Sequence, residues 1–211
     1  MATVAVEESL AGSVGVAVGG IGDDLVEGLA KVAGEARIGS GLNREMDSGT
    51  GVTPVTSAEA KEKISGWISR GEEEGARLVV DGRDHEEDEG FFLGPTIFDG
   101  VTPEMEIARE EIFGPVLAVE RMEDLDRAIQ TINESRYGNA AAIFTRDGAA
   151  ARKFRREVEC GMIGINISVP APVAFFPFTG WKDSFFGDLH ATGRDGVEFY
   201  TERKVVIERW R

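Results

Sequence analysis

The sequence predicts an α/β fold, an open sheet flanked by helices, on three observations. Short β-branched apolar runs alternate along the chain with amphipathic stretches of helical period. The 211 residues have an apolar fraction of 42%, enough for one sizeable hydrophobic core. The only cysteine is Cys160, so neither an intramolecular disulfide nor a cysteine-based zinc site can take the place of that core.

Val14 to Val18, punctuated by glycine, reads as a strand, and Gly22-Asp23-Asp24 starts a helix that reaches about Ala36. Leu25, Val26, Leu29 and Val32 share one face of that helix, with Glu27 and Lys31 turned toward water. Ile38 to Pro54, rich in Gly, Ser, Asn, Asp and Thr, is a loop long enough to serve binding or an interface. Ser57 caps a second helix whose buried stripe is Ala60, Ile64, Trp67 and Ile68. Leu78 to Asp81 is a brief strand, the acidic Asp84 to Gly90 a solvated hairpin tip, and Thr96 to Phe98 the next strand. Pro103 opens a short helical turn, Val116 to Glu120 is a strand, and Leu125 to Asn133 an amphipathic helix. The alternation continues with Ala140 to Phe144 as strand, Gly148 to Glu159 as helix and Gly161 to Ile167 as strand, and the chain finishes with Val205 to Glu208. No internal repeat and no linker divides it. The expected organisation is one domain over residues 1–203 followed by a terminal strand over 204–211.

Acidic residues outnumber basic ones 38 to 23, a formal charge of −15. Such a surface repels nucleic-acid phosphates and anionic lipid, so neither nucleic acid nor a membrane is an expected partner. No stretch has the apolar length of a membrane span, and the amino terminus shows no signal-peptide pattern, which together predict a cytoplasmic protein. Sparse lysine and acid clusters such as Glu72-Glu73-Glu74 fit a halophile's hydrated carboxylate shell; an ordinary acidic mesophilic protein is the alternative.

The most specific run is Glu110-Glu111-Ile112-Phe113-Gly114-Pro115-Val116, preceded by Gly94-Pro95-Thr96-Ile97-Phe98 and Val101-Thr102-Pro103-Glu104-Met105. Together these runs resemble the aldehyde dehydrogenase family, in the spacing that family shows before its glutamate motif. The resemblance implies that Glu111 accepts hydrogen bonds from the nicotinamide ribose hydroxyls and that Phe113 packs against the nicotinamide, making the pair the cofactor-binding residues for NAD. A carboxylate suits the task, because it accepts two hydroxyl donors at once in charge-assisted bonds. On residue type alone, a glutamate before an apolar run is a solvent-facing acid at an element end.

Asn166 matches the family's valine-asparagine position near the substrate tunnel, with an amide suited to bonding loop backbone. Phe178-Thr179-Gly180-Trp181-Lys182-Asp183-Ser184 resembles the family's phenylalanine-glycine-glycine-x-lysine-x-serine signature and departs from it at Thr179. Asn166 and Phe178 are therefore the substrate-pocket candidates. The wording after Ser184, together with Ala150 to Phe154 and Asn43 to Asp47, is closest to the CoA-acylating methylmalonate-semialdehyde branch. The dense aromatic group of Phe175, Phe176, Phe178, Trp181, Phe185 and Phe186 is a pocket lining, a packed core corner or a subunit contact.

Family chemistry begins with attack of a cysteine thiolate on the aldehyde. In the acylating branch that cysteine precedes Met-Ala, and this chain opens on Met1-Ala2, so the nucleophile is expected just upstream of it. Cys160 lies between a helix and a strand and reads as a buried free cysteine. No catalytic residue and no metal site is assigned within the chain, and His85 and His190 lack the partners of a triad. A dinucleotide fingerprint is missing, since Gly15 and Gly19-Gly20 have the wrong spacing. The resemblance thus implies the downstream part of an oxidoreductase that converts methylmalonate semialdehyde or a related aldehyde to an acyl-CoA with NAD. Its partners would be the aldehyde, with CoA as co-substrate, and either further copies in a homo-oligomer or a complementing upstream half. The rival is a non-catalytic oligomerisation or binding remnant of the same fold.

Overall fold

A computed structural model describes residues 2–7, 12–40, 51–84 and 90–211. Its elements in chain order begin β1 (Ala2–Glu7), β2 (Gly12–Val18), α1 (Gly22–Glu35), β3 (Arg37–Ile38), β4 (Gly51–Val52), α2 (Ala58–Glu73), β5 (Arg77–Val80) and β6 (Thr96–Val101). They continue with α3 (Glu106–Arg109), β7 (Val116–Met122), α4 (Leu125–Glu134), β8 (Tyr137–Gly138) and β9 (Ala140–Thr145). The last are α5 (Gly148–Glu157), β10 (Met162–Ile165), β11 (Trp181–Lys182) and α6 (Gly193–Phe199).

A seven-stranded sheet runs in the order β10-β9-β1-β2-β7-β6-β5. β10 and β9 are parallel, as are β2, β7 and β6, while β1 is antiparallel to both its neighbours and β5 is an antiparallel edge. Side chains alternate across it. Val14, Val16, Val116, Ala118 and Phe98 face a core closed by Ile64 and Ile68 of α2, Ile107 of α3, Ile129 and Ile132 of α4, and Phe154 of α5. On the other face Ala17, Ile97 and Val119 meet Val26 of α1. The expected open α/β sheet with helices on both sides is what forms, and double coverage explains the unbroken apolar runs of its central strands.

Local chemistry sets the element ends. Ser57 Oγ accepts the Ala60 amide at 3.1 Å to start α2, and Asp124 Oδ1 does the same for the Arg127 amide at 2.8 Å to start α4. Each such cap is worth about 1 kcal/mol. The Gly-Pro-Thr run before β6 is fixed by Gly82, whose amide donates to Thr96 Oγ1 at 3.0 Å and whose carbonyl accepts from the Gly94 amide at 2.8 Å. A Cβ on Gly82 would fall 1.9 Å from the Gly94 carbonyl oxygen, so only glycine permits this approach. Asp99 on β6 is buried between Arg121 and Arg77; Arg121 donates to it from Nε at 2.8 Å and reaches Asp23 from Nη1 at 2.8 Å. These bonds, with that to Arg121 foremost and opposed by burial, hold the Asp99 carboxyl down at about 2.

Several elements differ from the sequence expectation. β1 was not foreseen, because six residues paired on both sides by backbone have no period long enough to show. Val32 is 65% exposed, at the edge of the α1 stripe, and Ala33 takes the inward position. The helical turn after Pro103 becomes a helix only at Glu106. The strand expected to reach Ile167 stops at Ile165, since Asn166 turns to φ 57. The ends of the predicted long loop pair as β3 and β4, while Asn43 to Asp47 and His85 lie outside the described residues. The terminal run Val205 to Glu208 takes no strand pairing with the described residues; it is exposed, Ile207 at 93%.

Candidate cofactor and substrate site

The loop from α3 into β7 is built to present alternate side chains. Ile112 is buried in the core, which turns Glu111 and Phe113 outward on either side of it. Hydrogen bonds from Gly114 N to Ile112 O at 2.7 Å and from Val116 N to Gly114 O at 2.8 Å hold the chain in this form, and Thr96 N donates to Pro115 O at 2.7 Å. Gly114 is required because a Cβ there would lie 2.6 Å from Ile64 Cδ1 of α2. The result is an open cavity of about 300 Å³, lined by Glu111, Phe113, Gly12, Ser13, Val55 and Thr56 among others. The Glu111 carboxylate accepts no hydrogen bond from a described residue, and the Phe113 ring is 75% exposed. Both oxygens and one ring face are thus available to a ligand carrying a vicinal diol and a flat ring, which fits the ribose and nicotinamide of the implied cofactor.

The other two candidates stand apart from this cavity. Asn166 bridges β10 to β9: its Oδ1 accepts from Thr145 N at 2.9 Å and its Nδ2 donates to Thr145 O at 3.1 Å. Strand register places it at the carboxyl ends of the parallel strands, about five residues farther along than Val116, or ~17 Å at 3.3 Å per residue. Phe178 is half-buried, and its amide donates to Ala191 O at 2.7 Å. It lies toward the amino end of β10, since the neighbouring Thr179 hydroxyl donates to Gly161 O. That bond accommodates the departure from the glycine-glycine signature. A Cβ on Gly161 would in turn lie 2.5 Å from Thr179 O.

Loop 178–184 is tied to the cofactor side through α4. Lys182, at φ 53, donates to the carbonyls of Asn133 at 2.6 Å and Ser135 at 3.0 Å. Arg136 reaches Glu110 at 3.2 Å and stacks on Tyr137, whose strand β8 pairs with β11. Of the aromatic group, Phe186 is 93% exposed and Phe175 and Phe176 are also exposed, so these side chains do not form a packed corner of this chain. Cys160 is buried in the main core, its thiol donating to Met162 O at 3.1 Å.

Two features escaped the sequence reading. His190 has a carboxylate partner after all: Nδ1 faces Asp195 Oδ2 and Nε2 faces Gly180 O, each at 3.3 Å, with the ring against Phe185. Glu120 occupies an inward position on β7, between Ala118 and Met122, and is 3% exposed. The alternation Val116, Ala118, Glu120, Met122 was the signal for it. Burial, reinforced by the nearby charge of Glu104, pushes its carboxyl up to about 7.

Residues 7–206 match the aldehyde dehydrogenase family. Malonate-semialdehyde dehydrogenase of Halalkalibacterium halodurans is 52% identical over 205 residues, which are 97% of this chain and 41% of the relative. Malonate-semialdehyde dehydrogenase 2 of Geobacillus kaustophilus is 52% identical over 206 residues, 97% of this chain and 42% of the relative. The crystal structure of methylmalonate-semialdehyde dehydrogenase from Oceanimonas doudoroffii superposes with a TM-score of 0.90 at 47% identity, over 96% of this chain and 41% of that one. A Sinorhizobium meliloti 1021 protein assigned as a methylmalonate-semialdehyde dehydrogenase, complexed with NAD, gives 0.91 at 40% identity over the same shares. The chain spans about two fifths of the length of these relatives. Among the described residues, no helix is long and apolar enough to cross a membrane, and no group of three or more His, Cys, Asp or Glu is placed to hold a metal ion.

Proposed function

The chain belongs to the aldehyde dehydrogenase family, and from that premise we propose that it is the downstream part of an NAD-dependent enzyme oxidising malonate or methylmalonate semialdehyde to an acyl-CoA. The carrying observation is the pair Glu111 and Phe113, set out on either side of buried Ile112 over an open cavity. In this reading Glu111 accepts the two ribose hydroxyls and orients the nicotinamide, while Phe113 packs against it and excludes water from one side. Held between Glu111 and Phe113, a nicotinamide would supply the acceptor for the hydride that leaves once an upstream thiolate has added to the aldehyde carbonyl. Asn166 joins the carboxyl ends of β9 and β10 and so shapes the substrate side without touching the cofactor cavity. Phe178 is held near the opposite end by Ala191 and lines the substrate mouth.

Cys160 is not the nucleophile in this reading, because its thiol is enclosed in the core and already bonded to a carbonyl. The thiolate and the dinucleotide-binding fold come from an upstream segment, in the same polypeptide or as a separate partner. The exposed apolar side chains Phe175, Phe186, Ile207 and Trp210 favour association of this chain with another, which serves this reading and also that of a non-catalytic oligomerisation subunit. The test is Glu111→Gln in the complemented enzyme. Losing one charge-assisted acceptor, worth roughly 1.5–3 kcal/mol, should raise the KM for NAD tenfold or more. Unchanged NAD kinetics would remove the ribose role.

A further inference from the structure

A second cavity, of about 400 Å³, lies between α3, β7 and α4 and is lined by Glu104, Arg109, Glu120, Thr131, Glu134 and Arg136 among others. Its floor is unusual. Glu120 is 3% exposed, yet its side chain makes no hydrogen bond or ion pair with any described residue, and the charge nearest in effect is the like charge of Glu104. A buried carboxyl without a donor is costly, so a polar group at this position calls for a partner from the cavity it faces. A carboxyl held near neutrality is well matched to a cationic donor, whose arrival would favour its charged form.

The rim sets two arginines beside Glu104, Glu110 and Glu134. Arg109 is exposed and has no hydrogen bond or ion pair with a described residue, although its charge is felt by Glu104. Arg136 is already engaged by Glu110 and Tyr137, which leaves Arg109 as the open guanidinium of the cavity. A bare divalent ion is a poor fit, since no cluster of three metal-ligating side chains exists among the described residues. A simple amine would satisfy Glu120 and leave Arg109 unmatched, and a simple carboxylate would meet Glu104, Glu110, Glu120 and Glu134.

We propose that this cavity binds a small zwitterionic amino acid, with its ammonium group on Glu120 and Glu104 and its carboxylate on Arg109. The site is separate from the proposed cofactor cavity, and its reading does not depend on that one. The two are joined in sequence, with Glu110 lining this cavity and Glu111 the other.

The experiment is a thermal-shift and calorimetric titration of the full chain at constant high potassium chloride. The probes are glycine, β-alanine and γ-aminobutyrate, which differ only in charge spacing, with propylamine and propionate carrying one charge each. At least one zwitterion should raise the melting temperature saturably, and both single-charge probes should bind at least tenfold more weakly than it. Arg109→Ala, a change at an exposed and unpaired residue, should leave the unliganded melting temperature in place and weaken that zwitterion tenfold or more. Glu120→Gln should weaken it similarly. If none of the three zwitterions gives a saturable shift, if propylamine binds as tightly as the best of them, or if Arg109→Ala leaves affinity unchanged, the proposal is overturned.

Discussion

Replacing Glu120 by glutamine should stabilise the protein, and only above a certain pH. The folded chain holds this carboxyl at about 7 against an ordinary value of 4.5, through burial first and the Glu104 charge second. Between those values the folded state keeps a proton that the unfolded chain has released. Stability is therefore undiminished by this group below 4.5, falls as pH rises toward 7, and stays reduced above it. At ~1.4 kcal/mol for each tenfold change in the protonation equilibrium, the full cost is about 3 kcal/mol. Glutamine keeps the shape of the protonated acid without its ionisation. Urea unfolding of both proteins from pH 4.5 to 8.5, at fixed high salt, should show equal stabilities at the acid end. The variant should then lead by about 3 kcal/mol at the alkaline end, or roughly 6–12 °C in melting temperature for a chain of this size. Carboxylates away from this pocket contribute equally to both proteins, so the difference reports Glu120 together with its neighbour Glu104. Parallel pH profiles, with no gap opening above neutrality, would refute the reasoning.

Gly82→Ala should destabilise the protein by about 3 kcal/mol in denaturant unfolding, because the added methyl meets the Gly94 carbonyl rather than a movable side chain. With a net charge of −15, melting temperature should keep rising with potassium chloride well past the concentration that screens isolated surface pairs. A flat profile between dilute and molar salt would remove the halophilic reading. The exposed run Lys204 to Trp210 is expected to pair with another subunit, so deleting 205–211 should give a smaller species by light scattering at high salt with the helical signal largely intact. A chain that is monomeric before the deletion at every salt concentration would contradict this.

The parts of the fold legible in the sequence are those whose order is local. The α2 stripe of Ile64, Trp67 and Ile68, the Ser57 cap and the alternating core strands all follow from side-chain period and capping chemistry, and they formed as expected. What escaped depends on distant partners. β1 exists through pairing with β2 and β9, β8 and β11 through each other, and α6 starts without a side-chain cap. The Glu-Ile-Phe-Gly-Pro run marked the candidate site, but its physical logic needed the structure: Ile112 is the anchor, and Gly114 is glycine because of Ile64. Asn166 and Phe178 were grouped by motif, whereas strand register and the Thr179–Gly161 bond set them toward opposite ends of the sheet. The Glu120 position was visible as a charged residue in an inward register, yet nothing in the sequence revealed that no donor among the described residues meets it.

The most direct test of the central claim is reconstitution. The chain is combined with the upstream segment of the Halalkalibacterium halodurans relative, the part of that protein to which it has no counterpart, and NADH formation is followed with malonate semialdehyde, CoA and NAD. Turnover is predicted for the combination and none for this chain alone, because its one cysteine is buried and bonded to Met162 O. Turnover by this chain alone that disappears on Cys160→Ser would contradict the account.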